Sequence, residues 1–443
     1  MTSKTNKKPQ NIYHDRALET MPRKQLEKLQ DQLLRKLQTV SLQSNPFYRA
    51  KFKAAGIRKP IPWSRLSDLP FTTKSELMAD QLAHPPFGSD LAFPVADYTR
   101  MHQTSGTTGA PVRWLDTAES WSNFVEQWCF VYRGAGITRG DRVFAAFSFG
   151  PFSGFWTGFE ASYRIGSLAI TGGGQTSEQR IATMQATQPT VLICTPTYAL
   201  RLAEVAGTMG VDPAKLGLRA SIHAGEPGAG IPSTRRKIEQ TWGVRAYDHC
   251  GMTEMGAVGF ECQHQLGPHV NEAHFILEVI DPKTGKKVDE GERGEVVLTN
   301  LRRAGSPLIR YRTGDLAEAT YTRCSCRRTF ALLRGGLLGR ADDMITIRGI
   351  NVFPAAIENI LRQFPEIVEF QGEVTREREM AELILHLETD RLKDAQLPAF
   401  AEKVISALHV SLNLRPAVKF AASGTLPRAE MKSRRFRVTP AKS

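Results

Sequence analysis

Long apolar runs are missing from this sequence. None reaches the roughly 18 residues that span a bilayer, which excludes a membrane-spanning protein as the working expectation. The opening MTSKTNKKPQ is polar and lacks the apolar core of a secretion signal, so the chain reads as cytoplasmic. Cysteine is scarce: six in 443 residues are too few and too scattered for a disulfide framework. That fits a reducing compartment, where clustered cysteines point to a metal. Aromatic residues make up only 8%, and no basic stretch interleaves with them as in proteins that stack single-stranded nucleic acid. Nucleic acid is therefore not an expected partner, even though 58 basic residues against 45 acidic ones leave a formal charge of +13. The excess suits anionic small ligands such as nucleotides and coenzymes. Part of it lies at the ends, in Lys4, Lys7 and Lys8 and in RAEMKSRRFR (428–437), where solvated tails are the plain reading. Repeats and low-complexity linkers are absent as well.

What is present is a chain with 41% hydrophobic residues, long enough for two or three domains with large cores. Leu26, Leu29, Leu33, Leu37 and Val40 recur at intervals of three and four and predict an amphipathic helix that packs on the body. From about 120 to 300, strand-like runs (RVFAAFSF, SLAIT, TVLICTP, EVVLTN) alternate with helical patterns such as 177–187 and 197–207, the layout of a mixed or parallel α/β sheet. A final unit begins near Asp342, with MITIRGI, ELILHLET and AVKFAAS as strands and 392–413 as a helix. The expected organisation is a disordered segment 1–11, a large α/β domain 12–341 and a small α/β domain 342–443.

One segment, MHQTSGTTGAPVRW (101–114), concentrates glycines and hydroxyls. Thr104, Ser105, Gly106, Thr107, Thr108 and Gly109 offer unobstructed backbone N–H groups that can wrap phosphate oxygens. The Gly-Lys-Ser/Thr ending of a Walker loop is lacking, which excludes that motif and leaves a flexible linker as the bland alternative. Four further stretches follow in order: AYDHCGMTEMG (246–256), YRTGDLA (311–317), GRADDMITIRGINVFPAAIE (339–358) and LPRAEMKSRRFRV (426–438). Together with TSGTTGAP they resemble the adenylate-forming superfamily of acyl-CoA synthetases, peptide-synthetase adenylation domains and luciferases. The chain is most similar to the phenylacetate-CoA ligase branch, whose resemblance extends to LETMPRKQLEKLQDQLLRKLQTVSLQSNPFYRAKFKAAGI and LPFTTKSEL.

The resemblance implies an enzyme that joins a carboxylic acid to ATP, releases pyrophosphate and passes the acyl group from AMP to coenzyme A. It implies that Thr104, Ser105, Thr107 and Thr108 hold the β- and γ-phosphates. Thr253 would bond the α-phosphate and Glu254 would carry Mg2+. Asp315 would accept the ribose hydroxyls, with Arg340 beside it, and Lys432 would tie the attacking carboxylate to the α-phosphate. Gly225, Glu226 and Pro227, with Tyr247, Asp248 and His249, belong to the implied nucleotide pocket. Asp342 matches the hinge on which the small mobile domain swings, bringing Arg348, Gly349 and Asn351 to coenzyme A. In two places the sequence departs from the pattern. Cys250 stands where an aromatic residue usually stacks on adenine, leaving apolar contact, Tyr247 or His249 to hold the purine. Ala110-Pro111 replaces a lysine after the loop's last glycine.

FSFGPFSGFWTGFE (147–160) gathers five Phe and one Trp around three Gly. A helix burying its rings explains much of it. Phe149, Gly150, Pro151 and Phe152 also suit a strand end and turn at the sheet edge, where an aromatic acid would fit beside Ala224 and His223. Cys324 and Cys326, with Cys262 and His269, have the makings of a tetrahedral structural zinc site, and His264 competes as the fourth ligand. Cys129 and Cys194 lie in apolar runs and read as core. The partners expected are a small aromatic acid, ATP and coenzyme A, with a homodimer left open. Transfer to a carrier-protein thiol, or a non-catalytic basic nucleic-acid-binding or scaffold protein on the same fold, are the competing readings.

Overall fold

The computed structural model describes residues 12–104, 111–341, 345–347, 350–377, 380–427 and 435–438. The segment 1–11, expected to be disordered, and the hinge position Asp342 lie outside them. A hairpin of β1 (Tyr98–Gln103) and β2 (Arg113–Thr117) leads into a long helix, Ala118–Gly134. Strands β3 (Arg142–Ala145), β4 (Leu168–Thr171), β5 (Val191–Cys194) and β6 (Ala220–His223) then alternate with helices Ser153–Arg164, Ser177–Thr187, Pro196–Thr208 and Pro232–Trp242. Each helix start has a local cause. Thr176 closes a capping box with Gln179, and Thr195 caps a helix whose first residue is Pro196.

β7 (Arg245–Met252) pairs in parallel with β6 and antiparallel with β8 (Gly256–Glu261). Beyond it come β9 (Pro268–Val270), β10 (Phe275–Ile280), β11 (Arg293–Asn300), β12 (Tyr311–Thr320), β13 (Leu332–Leu333) and β14 (Gly339–Arg340). The single sheet runs β4-β3-β5-β6-β7-β8-β9-β13-β12-β11-β10, with β14 added to β12. Parallel strands buried on both faces need no polar alternation. In β5, Val191 and Ile193 enter one core and Leu192 and Cys194 the other. The expected alternation of strands and helices is therefore observed, although RVFAAFSF is a strand only over Arg142–Ala145.

The N-terminal helix spans Arg23–Ser44, and its buried face is rotated from the leucine stripe the sequence suggests. Leu26, Leu34 and Leu37 are buried together with Gln30 and Gln38. Both amide nitrogens are hydrogen-bonded: Gln30 donates to the carbonyls of Glu272 and Phe275 at 2.9 Å, and Gln38 exchanges two 2.9 Å bonds with the backbone of Ile61.

The small unit pairs β15 (Ile345–Ile347) with β16 (Ile350–Val352), so MITIRGI is not one strand but the first part of a two-stranded ribbon. Its main sheet is β19-β18-β17-β20, from β17 (Ile367–Glu377), β18 (Met380–Thr389), β19 (Ala417–Ala421) and β20 (Phe436–Val438). Helices Pro354–Leu361 and Leu397–Leu412 supply the rest of its core. At the seam with the large unit, Ser233 Oγ donates to Asn359 Oδ1 at 2.9 Å.

Buried charge holds the glycine-rich hairpin in place. Arg303 and Asp116, 0% and 1% exposed, form a two-armed pair at 2.7 and 3.2 Å, and Arg303 also donates to the Ser306 carbonyl at 2.9 Å. Removing one partner strands a desolvated charge. Asp116→Ala is expected to destabilise the large unit by about 3 to 5 kcal/mol, read as a lowered thermal unfolding midpoint. An unchanged midpoint would show that the hairpin base does not depend on this pair.

Candidate active site

The parallel strands β5, β6 and β7 end at one edge of the sheet, where the crevices of open α/β folds form. Over this edge lies the loop 224–230. Glu226 anchors it, its Oε1 accepting the Thr197 amide at the start of helix Pro196–Thr208 at 2.8 Å. Ala224 is buried, whereas Gly225 and Pro227 are exposed. Gly230 passes close enough to Asp248 that a Cβ there would stand 2.9 Å from its Oδ2 and force that carboxylate to shift. Asp248 itself faces Glu261, whose carboxylate accepts the Asp248 amide at 2.8 Å and Arg235 at 2.7 Å. Burial, then the neighbouring Glu261 charge, pushes the Asp248 carboxyl above the ordinary range.

Because β7 changes from parallel to antiparallel pairing, the turn between β7 and β8 projects Thr253 and Glu254 at this same edge. The Thr253 carbonyl accepts Ser153 Oγ at 3.0 Å, and Glu254 Oε1 accepts the Tyr311 hydroxyl at 2.8 Å. Burial, reinforced by the Glu254 charge, holds the Tyr311 phenol far above its usual range, so it remains a donor. Asp315 and Arg340 are register partners on β12 and β14, their charged groups 3.7 Å apart. Gly314 makes that pairing feasible: at φ +76° its missing Cβ would stand 2.9 Å from Arg340 Nη2. The Asp315 and Asp248 charges both act on the Cys250 thiol between them, which burial raises first, keeping it a neutral thiol.

Thr104 closes the base of the glycine-rich loop. Its amide donates to the Val112 carbonyl and its Oγ1 accepts the Val112 amide, both at 3.1 Å. Ser105, Gly106, Thr107, Thr108 and Gly109 lie outside the described residues, as do Arg348, Gly349 and Lys432. Asn351 is described only through its backbone, paired with Thr346 in the ribbon. The Gln103 amide bonds the Pro151 carbonyl at 2.8 Å, joining this loop to the aromatic turn.

In that turn, Phe149 is half-buried against Phe147, Trp156 and Phe159 at centroid distances of 5.2, 4.5 and 5.3 Å, and Trp156 Nε1 donates to the Gly150 carbonyl at 2.9 Å. Pro151 is exposed and Phe152 partly so, just ahead of the helix Ser153–Arg164. Three residues assigned to ligand pockets from sequence have their side chains in the core. His223 is 0% exposed, with its nitrogens facing Ser221 Oγ at 2.8 Å and the Cys194 carbonyl at 3.3 Å. His249 packs on Trp128 and bonds the Gly259 carbonyl at 2.7 Å, and Tyr247 joins the same core. Strand alternation accounts for this, since Tyr247 and Ile222 share one core and Ala246 faces the other. Sequence reasoning overlooked Tyr311, Ser153 and Arg235, whose roles come from contacts between distant segments that no local pattern signals.

Away from this edge, Cys262, His269, Cys324 and Cys326 are buried with their ligand atoms all within 4.8 Å of one another. Cys262 and Cys324 sulfurs lie 3.8 Å apart, and Cys326 Sγ is 3.4 Å from His269 Nε2. His269 Nδ1 faces the Phe330 carbonyl at 3.4 Å, which leaves Nε2 as the inward atom. Of the two candidate histidines, His269 is the member, while His264 contributes its backbone amide to Cys262 Sγ at 3.4 Å. The loop also grips the N-terminal segment: Tyr13 donates to the Cys326 carbonyl at 2.5 Å, and Arg328 to Glu19, both fully buried, at 2.5 Å.

Two family models match, the AMP-binding enzyme over residues 72–301 and the AMP-binding enzyme C-terminal domain over 349–438. Phenylacetate-coenzyme A ligases of Thermus thermophilus and Pseudomonas putida are 34% and 32% identical. The first alignment covers 88% of this chain and 88% of the relative, the second 96% and 98%. The chain belongs to the phenylacetate-coenzyme A ligase family of AMP-binding enzymes. A solved relative is similar over nearly the whole chain, in two states to different degrees. The 2-hydroxyisobutyryl-CoA ligase in its postadenylation state, with 2-HIB-AMP, superposes at TM-score 0.92 and 30% identity, covering 98% of this chain and 93% of that one. The same ligase in the thioesterification state, with CoA as well, matches only at 0.71 with 31% identity, covering 97% and 93%. The mutual arrangement of the two units is therefore more similar to that relative's postadenylation state than to its thioesterification state. No helix among the described residues is long and apolar enough to cross a membrane.

Burial lowers His223 and His249 to about 4, below the ordinary 6.5 of an exposed imidazole. In the unfolded chain both take up protons near pH 6.5, so the unfolded state binds more protons between pH 6.5 and 4. Their contribution to stability is therefore complete above pH 6.5 and is lost as the pH falls towards 4, by up to about 3 kcal/mol each. His249→Asn retains a donor for the Gly259 carbonyl but cannot titrate. It is expected to flatten the fall of the unfolding midpoint over this range, and an unaltered slope would refute the assignment.

Proposed function

We propose that this ligase activates an aromatic carboxylic acid with ATP and transfers it to coenzyme A. The carboxylate attacks the α-phosphorus and pyrophosphate leaves, giving the acyl-adenylate. The coenzyme A thiol then attacks the acyl carbon, and AMP departs with the bonding electrons of the anhydride oxygen. The observation that carries this reading is the convergence of Thr253, Glu254, Asp315 and the ring cluster of Phe149 on one sheet edge, with Ser153 linking the ring turn to the Thr253 backbone.

In this reading the loop 104–109 holds the β- and γ-phosphates through backbone amides and hydroxyls. Thr253 bonds the α-phosphate, Asp315 accepts the ribose hydroxyls with Arg340 beside it, and Lys432 links the acid to the phosphorus under attack. Glu254 would hold Mg2+, which supplies charge neutralisation on the phosphates. Its carboxylate suits that role, being oriented by the Tyr311 hydroxyl. With Tyr247 and His249 turned into the core, apolar contact beside Cys250 is the remaining support for adenine. The aromatic class of the acid is supported by the Phe149 cluster and by the phenylacetate named for the relatives. A reducing, cytoplasmic setting fits six free cysteines.

Pyrophosphate release measured over a panel of benzoates, phenylacetates and heteroaryl acids tests the proposal. Sustained turnover is expected with an aryl acid when coenzyme A is present, and without it only slow release as the adenylate stays bound. An enzyme that consumes no ATP with any acid would overturn the reading.

The Cys262, His269, Cys324, Cys326 cluster fits Zn2+: three thiols and one oriented imidazole form a closed, buried donor set. The metal would cross-link the loop after β8 to the loop after β12 and take no part in the reaction. Metal analysis is expected to return about one zinc per chain. Replacing both Cys324 and Cys326 by serine is expected to abolish binding and lower the unfolding midpoint. Metal-free protein of unchanged stability would argue against it.

A further inference from the structure

The stretch of chain that carries Lys432 is clamped on both flanks. Upstream, Glu388 on β18 is 1% exposed, and its two oxygens accept the amides of Gly424 at 2.8 Å and Leu426 at 3.2 Å. Downstream, Arg435 immediately precedes β20, and its carbonyl accepts the Gly372 amide at 2.8 Å. Its side chain, 9% exposed, donates to Glu369 Oε1 at 2.9 Å and Oε2 at 3.4 Å, and to Glu358 Oε1 at 3.4 Å. Arg362 reaches the same two carboxylates at 3.5 and 3.6 Å, and both guanidiniums lie over the Phe370 ring, at 5.1 Å for Arg362 and 5.2 Å for Arg435.

Stability alone is a weak reason for this arrangement. Desolvating a guanidinium is costly, and well-packed apolar residues often replace buried ion pairs without loss. What a forked, multiply bonded arginine adds is direction: it fixes the position and the rotation of the backbone to which it is attached, as an apolar contact on Phe370 cannot. That backbone lies three residues beyond Lys432. Arg435 also sits in the field of Glu226, on the large unit's loop over the cleft, so the clamp stands at the seam in an arrangement similar to the postadenylation state.

The geometry points to Arg435 as a positioning residue for adenylate formation, locking the direction of the chain so that the Lys432 ammonium is delivered to the reacting carboxylate and phosphate. This rests on the role given to Lys432 above. Among the described residues, the partners that Arg435 bonds are in the small unit, so the clamp travels with it. Its effect on rate is confined to the arrangement in which Lys432 faces the cleft.

Arg435→Met tests this, because methionine still packs on Phe370 and Arg362 remains to neutralise Glu358 and Glu369. Arg435→Gln serves as a second variant, and the unfolding midpoint is measured for both. Adenylate formation, followed as single-turnover pyrophosphate release, is expected to slow by about 10- to 100-fold in kcat. KM for the acid and for ATP should stay within about twofold, since Arg435 touches neither. Thioester formation from supplied acyl-adenylate and coenzyme A should keep its rate. Lys432→Ala alone should slow adenylate formation by about 100-fold or more, and adding Arg435→Met to it should cost nothing further, as expected for residues acting as one unit. Equal loss in both half-reactions, losses that multiply in the double variant, or no loss at all would overturn the inference while leaving the role of Lys432 standing. If Lys432→Ala leaves adenylate formation intact, that role fails, and the inference with it.

Discussion

The site depends on one constraint, the double allegiance of β7. Its first half pairs in parallel with β6 as far as Asp248, where β6 ends and the loop 224–230 begins. Its second half, His249 to Met252, pairs antiparallel with β8, so the chain runs on past that level and then reverses. The reversal is the Thr253-Glu254 turn. A strand satisfying only its parallel neighbour would run on into a helix, and one satisfying only its antiparallel neighbour would lack the crevice beside it. Because both sets of backbone hydrogen bonds must be made in a buried sheet, the position of the turn is dictated by pairing that none of its own side chains supply.

The other parts of the site are attached to this turn by bonds between remote segments. Tyr311 reaches it from β12 and Ser153 from the head of a helix, while Gln103 ties the glycine-rich hairpin to Pro151. Each of these segments is itself stabilised elsewhere, the hairpin by Arg303 and Asp116 and the loop over the cleft by Glu226 on a helix start. This division suits an enzyme whose substrates carry several negative charges. Rigid anchoring lies behind the loops. The Cys/His cluster extends the same logic to the far side of the sheet, where its loop pins the N-terminal segment through Tyr13 and Glu19.

The small unit is built differently inside from how it meets the large unit. Among the described residues its contacts with the large unit include the Ser233 bond to Asn359 and Arg293 over the Phe353 ring at 5.9 Å, whereas its internal clamp joins Arg435, Arg362, Glu358 and Glu369. An internally clamped unit of that kind is suited to moving as one body. The superposition on a relative caught in two states fits this picture, because one arrangement matches closely and the other does not.

Much of this was readable from the amino-acid order. The five ordered motifs, the alternation of strand-like and helical runs, and the four zinc-type ligands rest on residue identity and spacing, properties that local backbone chemistry and donor type settle without knowledge of the fold. Even the choice between His264 and His269 needed only to be kept open. The direction each side chain faces was decided by tertiary structure alone. His223, Tyr247 and His249 stand beside the cleft in sequence but point into the core, because a strand sends successive side chains to opposite faces and pairing determines which face is which. Gln30 and Gln38 are buried on a helix whose leucine stripe suggested another face, because carbonyls from distant segments accept their amide N–H groups. Spacing along a chain specifies which groups are available. Which of them meet depends on long-range pairing, where the free energy of burial is shared among segments hundreds of residues apart.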